Sequence, residues 1–303
     1  MTSWNKNTFR KGLRIVLVSL LLYAVVSFTV TKIVYDACFP RYEAAASAPA
    51  TGEEVTFLSG GNRLTGRYFG GEEQALVVIA PGFNARLEDY AATVGALHER
   101  GWDVLIYDPT GSGGSEGTSA VGFPQALLDL DAALTFAEET YDYDEVFLLG
   151  HSGGGWAACG MLESGHAVAG VVAVSALNSP MEATLAPATR VVGPLAYGNY
   201  PFLWLYQSML FGSGAVDVRA DEAVNASSVP VLIVQGSGDD VAPAEAFSLY
   251  SHREDVRTDG VAYLLCDGAG QDGHTDLLFD PDGSANGALM DEIDRFFREN
   301  YRK

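Results

Sequence analysis

Three short stretches carry the residue types that acyl transfer needs: Gly150-His151-Ser152-Gly153-Gly154, Asp239 with Asp240 beside it, and His274. A serine hydroxyl attacks a carbonyl only when a base takes its proton. A histidine serves as that base when a carboxylate fixes its tautomer and stabilises its charged form. Each of the three groups follows a run of residues predicted to be a buried strand, so all three can meet at one edge of a sheet.

The pattern Gly-x-Ser-x-Gly occurs twice, around Ser115 and around Ser152. Only the second has the setting of a nucleophile. Val146-Phe147-Leu148-Leu149 runs straight into Gly150, and small residues open a helix after Ser152. A strand-to-helix turn exposes the serine oxygen, and glycines on either side avoid a clash of Cβ with neighbouring backbone. The helix N-terminus favours developing negative charge. Ser115 sits well past its strand in Gly111-Ser112-Gly113-Gly114 and is predicted to lie in a flexible loop bordering the site.

Asp239 and Asp240 lie just beyond the apolar run Val231–Gly236. One can face the nucleophile while the other helps to start the following helix near Pro243. Of the five histidines, His98, His166 and His252 belong to helices or helix ends, and His151 neighbours the nucleophile but points elsewhere. His274 alone stands on a loop after the last strand and before the last helix, downstream of both other groups. Two N–H donors must also face the oxyanion. Gly153, directly after the nucleophile, offers one. In Pro81-Gly82-Phe83-Asn84, Pro81 has no N–H and Gly82 permits the turn, so Phe83 is the expected second donor.

The elements that would position these groups can be read from periodicity. Val55–Ser59 and Leu64–Phe69 form a predicted hairpin. Ala75–Ala80, Val104–Asp108, Val146–Gly150, Ala169–Ser175, Val231–Gly236 and Val261–Asp267 are nearly unbroken apolar runs, as expected of strands covered on both faces. Helical spacing covers Leu87–Arg100, Pro124–Thr140, Gly153–Ser164, Ala244–Ser251 and Ala288–Tyr301. The alternation predicts an α/β fold with a mostly parallel central sheet and helices on both faces, its ligand site beyond the carboxyl ends of the strands. Residues 176–228 are too long for an ordinary connection and are rich in aromatics, which predicts an inserted helical lid.

From Ile15 to Thr31 there is no charged residue, and Lys6, Arg10, Lys11 and Arg14 precede the run. This predicts a transmembrane anchor at about residues 13–35 behind a basic cytoplasmic tail, with the body outside the cell membrane. A cleavable signal is the rival; the small residues Ala44–Ala48 lie more than ten positions past the apolar run. Residues 36–52 are predicted as a linker, and 53–303 as the catalytic domain.

Net charge over the 303 residues is −21, and beyond residue 35 there are 13 basic against 39 acidic residues. So acidic a body repels phosphate backbones, which excludes nucleic acid as an expected partner. Cys38, Cys159 and Cys266 cannot all pair and have no zinc spacing. No glycine-rich loop leads into a lysine as a phosphate site requires, so no cofactor or metal is expected.

Together these residues resemble the α/β-hydrolase superfamily, within it the serine-aminopeptidase and monoacylglycerol-lipase-like branch, over roughly residues 53–303. The order Ser152, Asp239, His274 matches that family. Asp108–Gly117 is similar to the branch's Asp-x-Arg-Gly-x-Gly-x-Ser loop, and Gly236-Ser237-Gly238-Asp239 to its acid motif, which favours Asp239 over Asp240. The sequence departs from the pattern at Pro81, where His is common, and at Thr110, where Arg is. The resemblance implies a serine hydrolase of carboxylic, including lipid or acyl, esters. A peptidase or amidase and an acyltransferase would use the same triad; a non-catalytic binding protein of the same fold is the reading from a different class.

Overall fold

The computed structural model describes residues 6–43, 52–72, 74–268 and 270–301. A long helix α1 (Lys6–Cys38) leads into the body. There β1 (Glu53–Ser59) and β2 (Asn62–Phe69) form the expected hairpin, followed by β3 (Ala75–Ala80), α2 (Ala91–Glu99), β4 (Asp103–Tyr107), α3 (Pro124–Thr140), β5 (Glu145–His151), α4 (Gly153–Gly160) and β6 (Val168–Val174). An insert follows, built from α5 (Pro180–Val192), α6 (Tyr200–Phe211), α7 (Ser213–Val216) and α8 (Ala220–Ala226). The chain then returns through β7 (Val231–Gly236) and β8 (Val261–Cys266) to the last helix, α9 (Gly287–Asn300).

The eight strands lie in the order β1-β2-β4-β3-β5-β6-β7-β8. The pairs β1/β2 and β2/β4 are antiparallel and all others parallel. Alternate residues of the central strands feed two cores. Leu76, Val78, Leu105, Leu148, Val171 and Ile233 pack under α3 and α4. Val77, Ile79, Val104, Phe147, Val172 and Val234 face the opposite layer, where Trp102 and Phe297 are fully buried. Burial on both faces is why these strands lack polar alternation.

Two expectations need correction. The run Val261–Cys266 is a strand but not a covered one. It is the sheet's edge, with Tyr263 39% and Leu265 44% exposed. Ala244–Ser251 is not a helix; turns end in a short 3-10 turn at Leu249–His252. There Ser248 Oγ donates to the Pro243 carbonyl and accepts from Ser251 N–H, local bonds that compete with a helical ladder.

α1 is long and apolar enough to cross a membrane, and its apolar stretch is almost wholly exposed. Its C-terminal end buries one side only, while Ile33, Val34 and Cys38 stay exposed. Tyr35 and Phe39 are buried against Met181, Leu185, Leu203, Tyr206 and Val216 of the insert. The chain after the helix then lies along the loop following β4. Arg41 donates to the carbonyls of Gly113, Ser115 and Gly117, and Tyr42 N–H to that of Gly111. Most of the predicted linker beyond Glu43, including Ala44–Ala48, lies outside the described residues.

Candidate active site

β5 ends at His151, and the chain turns at Ser152 directly into α4. Ser152 has φ 56° and ψ −118°, a conformation that L-residues avoid and that only surrounding structure can enforce. Ser152 N–H donates to Val174 O on the neighbouring strand, and its carbonyl accepts from Gly155, Trp156 and Leu177. Two glycines are required by close approach. A Cβ on Gly150 would stand 2.3 Å from Gly154 O, and one on Gly154 would stand 2.1 Å from Ala80 O.

The second serine of the same pattern has another role. Ser115 Oγ donates to Asp108 O at 2.6 Å and accepts from Thr65 N at 2.9 Å. With Arg41 clasping the same loop, the segment is tied down rather than flexible, and Ser115 is a buried brace.

Asp239 sits in the turn after β7. Its Oδ1 accepts from the N–H groups of Val241 and Ala242; its Oδ2 accepts from Gln235 Nε2 at 3.0 Å and from His274 Nδ1 at 2.8 Å. Burial pushes this carboxyl up, but the hydrogen bond and charge of His274, with the Ala242 N–H, hold it below the ordinary carboxylate value. Asp239 therefore stays ionised and accepts from Nδ1–H of His274. Asp240 points its own way; its carbonyl accepts from Arg190, and it lines the rim.

Ser152 and His274 line one cavity of about 510 Å³. Its other walls are chiefly apolar and include Phe83, Phe123, Leu177, Ala186 and Pro187, with Arg190 at the edge. Phe83 and Gly153, the expected oxyanion donors, border this region; among the described residues neither N–H finds an acceptor within the protein. Gly82 N–H is not free, because it donates to Tyr90 Oη at 2.8 Å.

Sequence reasoning missed a relay beneath these groups. His151 Nε2 lies 3.0 Å from the His274 carbonyl, which can only accept, so Nε2 carries the proton. Nδ1 is then an acceptor, and Tyr90 Oη–H donates to it at 2.8 Å. Burial, and then the neighbouring His274, push His151 down to about 4, so the ring is neutral. The chain of bonds from Gly82 through Tyr90 and His151 to His274 joins the Gly82–Phe83 loop to the loop that carries His274. His151 was legible as the neighbour of the nucleophile, but Tyr90 is indistinguishable in sequence from the other apolar-face residues of its helix.

The family described as serine aminopeptidase, S33, matches over residues 71–217. Among solved structures, an esterase of Pyrococcus furiosus is similar with a TM-score of 0.65 at 16% identity, covering 86% of this chain and 97% of that one. Est1E from Butyrivibrio proteoclasticus, with ferulic acid bound, gives 0.60 at 17% identity over 81% and 98%. The chain has the α/β-hydrolase fold. Its curated relatives include an uncharacterized protein of Mycobacterium tuberculosis, strain CDC 1551 / Oshkosh, 27% identical over 94% of both chains. That match runs nearly the full length of both chains, so it reaches into the N-terminal helix as well as covering the α/β body.

Proposed function

We propose that this chain belongs to the α/β-hydrolases and is an esterase working through a Ser152 acyl-enzyme. The observation that carries the reading is the 2.8 Å bond from His274 Nδ1 to the ionised Asp239, on the wall of the apolar cavity that Ser152 enters from a strained turn. Ser152 Oγ attacks the ester carbonyl as its proton passes to His274 Nε2. The tetrahedral oxyanion is met by the N–H groups of Phe83 and Gly153. Collapse breaks the carbon–oxygen bond to the leaving alcohol, which takes the proton from His274. Water then gives a proton to His274, attacks the acyl-enzyme, and releases a carboxylic acid with Ser152 restored.

The test is labelling of the full chain in detergent with a serine-reactive phosphonate, beside Ser152→Ala and Ser115→Ala. Labelling lost with Ser152→Ala alone supports the reading. Labelling retained in Ser152→Ala, or none in the folded parent, overturns it. Matched ester and amide substrates then separate an esterase from an amidase.

A further inference from the structure

The insert carries a feature that the hydrolytic chemistry does not call for. From Val191 to Val216 there are twenty-six consecutive residues without a charge. At this chain's 19% charged residues, a stretch of that length would hold about five. Its apolar side chains are also unusually exposed: Val191 83%, Leu195 83% and Met209 67%. A patch of this kind on an otherwise acidic surface marks a contact with something apolar.

The contacts of α6 with α1 identify the partner. Phe202 packs edge-on against Tyr23, and Tyr206 against Phe28 and Tyr35, so the two helices run side by side. Lys32 Nζ meets Asp36 and Tyr206 Oη, which places the first charges at the end of α1's apolar stretch. Tyr23 lies nine residues before Lys32, or about 14 Å along a helix axis. Phe202 is therefore level with the middle of the apolar run, not with its end. A bilayer that covers Ile15–Thr31 must also cover the first turn of α6.

We propose that α1 and the uncharged part of the insert form one bilayer-embedded unit, so that the cavity takes its substrate, a long-chain lipid ester, directly from the leaflet. The route is continuous. Ala186, Pro187 and Arg190 line the cavity on α5, and the same helix ends in the exposed Val191 and Val192. On the other side, Phe39 at the end of the anchor packs on Phe83 and Phe123, both cavity residues. The anchor is thus part of the substrate wall. The substrate class rests on the esterase reading; the embedding does not.

The test uses the full chain in phosphatidylcholine vesicles with Cys38 and the half-buried Cys266 replaced by serine. Leu195→Cys and Leu205→Cys, each carrying an environment-sensitive fluorophore, are exposed in turn to spin-labelled lipid and to aqueous iodide. Quenching by lipid and protection from iodide is the expected result. Quenching by iodide overturns the embedding, as does protection from both quenchers, which would mean that a second copy covers the patch. Leu195→Asp should lower hydrolysis of a vesicle-borne long-chain ester by about tenfold or more, while a water-soluble short-chain ester changes by less than about twofold. Equal rates on the vesicle ester would refute the lateral route. Loss of phosphonate labelling at Ser152 in the parent would instead fail the esterase reading and leave the fluorescence result standing.

Discussion

Replacing Tyr90 with phenylalanine removes one oxygen atom and two hydrogen bonds from the centre of the relay. Gly82 N–H loses its acceptor and His151 Nδ1 its donor, both in buried positions at 2.8 Å. Leaving a buried polar group unpaired costs about 1–3 kcal/mol, so with partial relaxation the pair should cost about 3 kcal/mol of stability. The same loss frees the loop that presents Phe83 N–H. Deleting an oxyanion donor costs on the order of 10²–10³ in kcat, and merely loosening one should cost about tenfold with little change in KM. Urea unfolding of the full chain in detergent at pH 7.5 gives the first quantity, and initial rates on a short-chain ester give the second. Tyr197→Phe, at a 61% exposed position, serves as the control. A Tyr90→Phe variant within about 0.5 kcal/mol of the parent and with unchanged kcat would refute the idea that the relay binds the two loops together.

The neutral His151 predicts an acid-labile fold. Its folded value of about 4 lies below the ordinary 6.5, so the unfolded chain takes up the proton first as pH falls. Stability is then full above about 6.5 and declines towards about 4, by about 3 kcal/mol in all. Asp239, held below its ordinary value, adds a loss at still lower pH. His166 has the opposite sign: burial lowers its value, but Glu138 and Asp131 outweigh that and raise it, so its contribution fades as pH rises. The difference in unfolding free energy between the parent and His151→Gln, measured from pH 7.5 to 4.5, isolates the first term. Gly154→Ala should destabilise by about 3 kcal/mol and abolish labelling of Ser152, because its Cβ meets Ala80 O at 2.1 Å; Gly198→Ala, with open space around it, should be neutral. Phe39→Ala should cost about 3–5 kcal/mol and raise KM for long-chain esters, since the ring is buried on Phe83 and Phe123; thermal unfolding and a chain-length series check both.

All eight strands and the turn at Ser152 are visible in the sequence because apolar runs and glycine spacing are local signals. Each strand is found within two residues of its predicted bounds. The edge position of β8 was not legible, since Val261–Cys266 is as apolar as its covered neighbours and only the strand order exposes it. The bond between Asp239 and His274 spans 35 positions, and that between Tyr90 and His151 spans 61. Chain order hinted at the first; nothing local hinted at the second. The segment Phe39–Tyr42 looked like spacer for the same reason. The partners of Arg41 lie more than 70 positions downstream and are carbonyls, which every residue possesses.

That segment also ties the fate of the N-terminal helix to that of the candidate site. Arg41 serves three carbonyls of the loop after β4, and Phe39 closes a wall around Phe83. A protease cutting anywhere between Tyr42 and the start of β1 would separate both residues from the body's covalent chain. The freed body would lose a buried aromatic side chain, and those carbonyls would lose their shared guanidinium partner. Loss of the N-terminal helix and loss of activity would then be a single event, and a form starting at β1 should be a weaker, looser enzyme than the full chain.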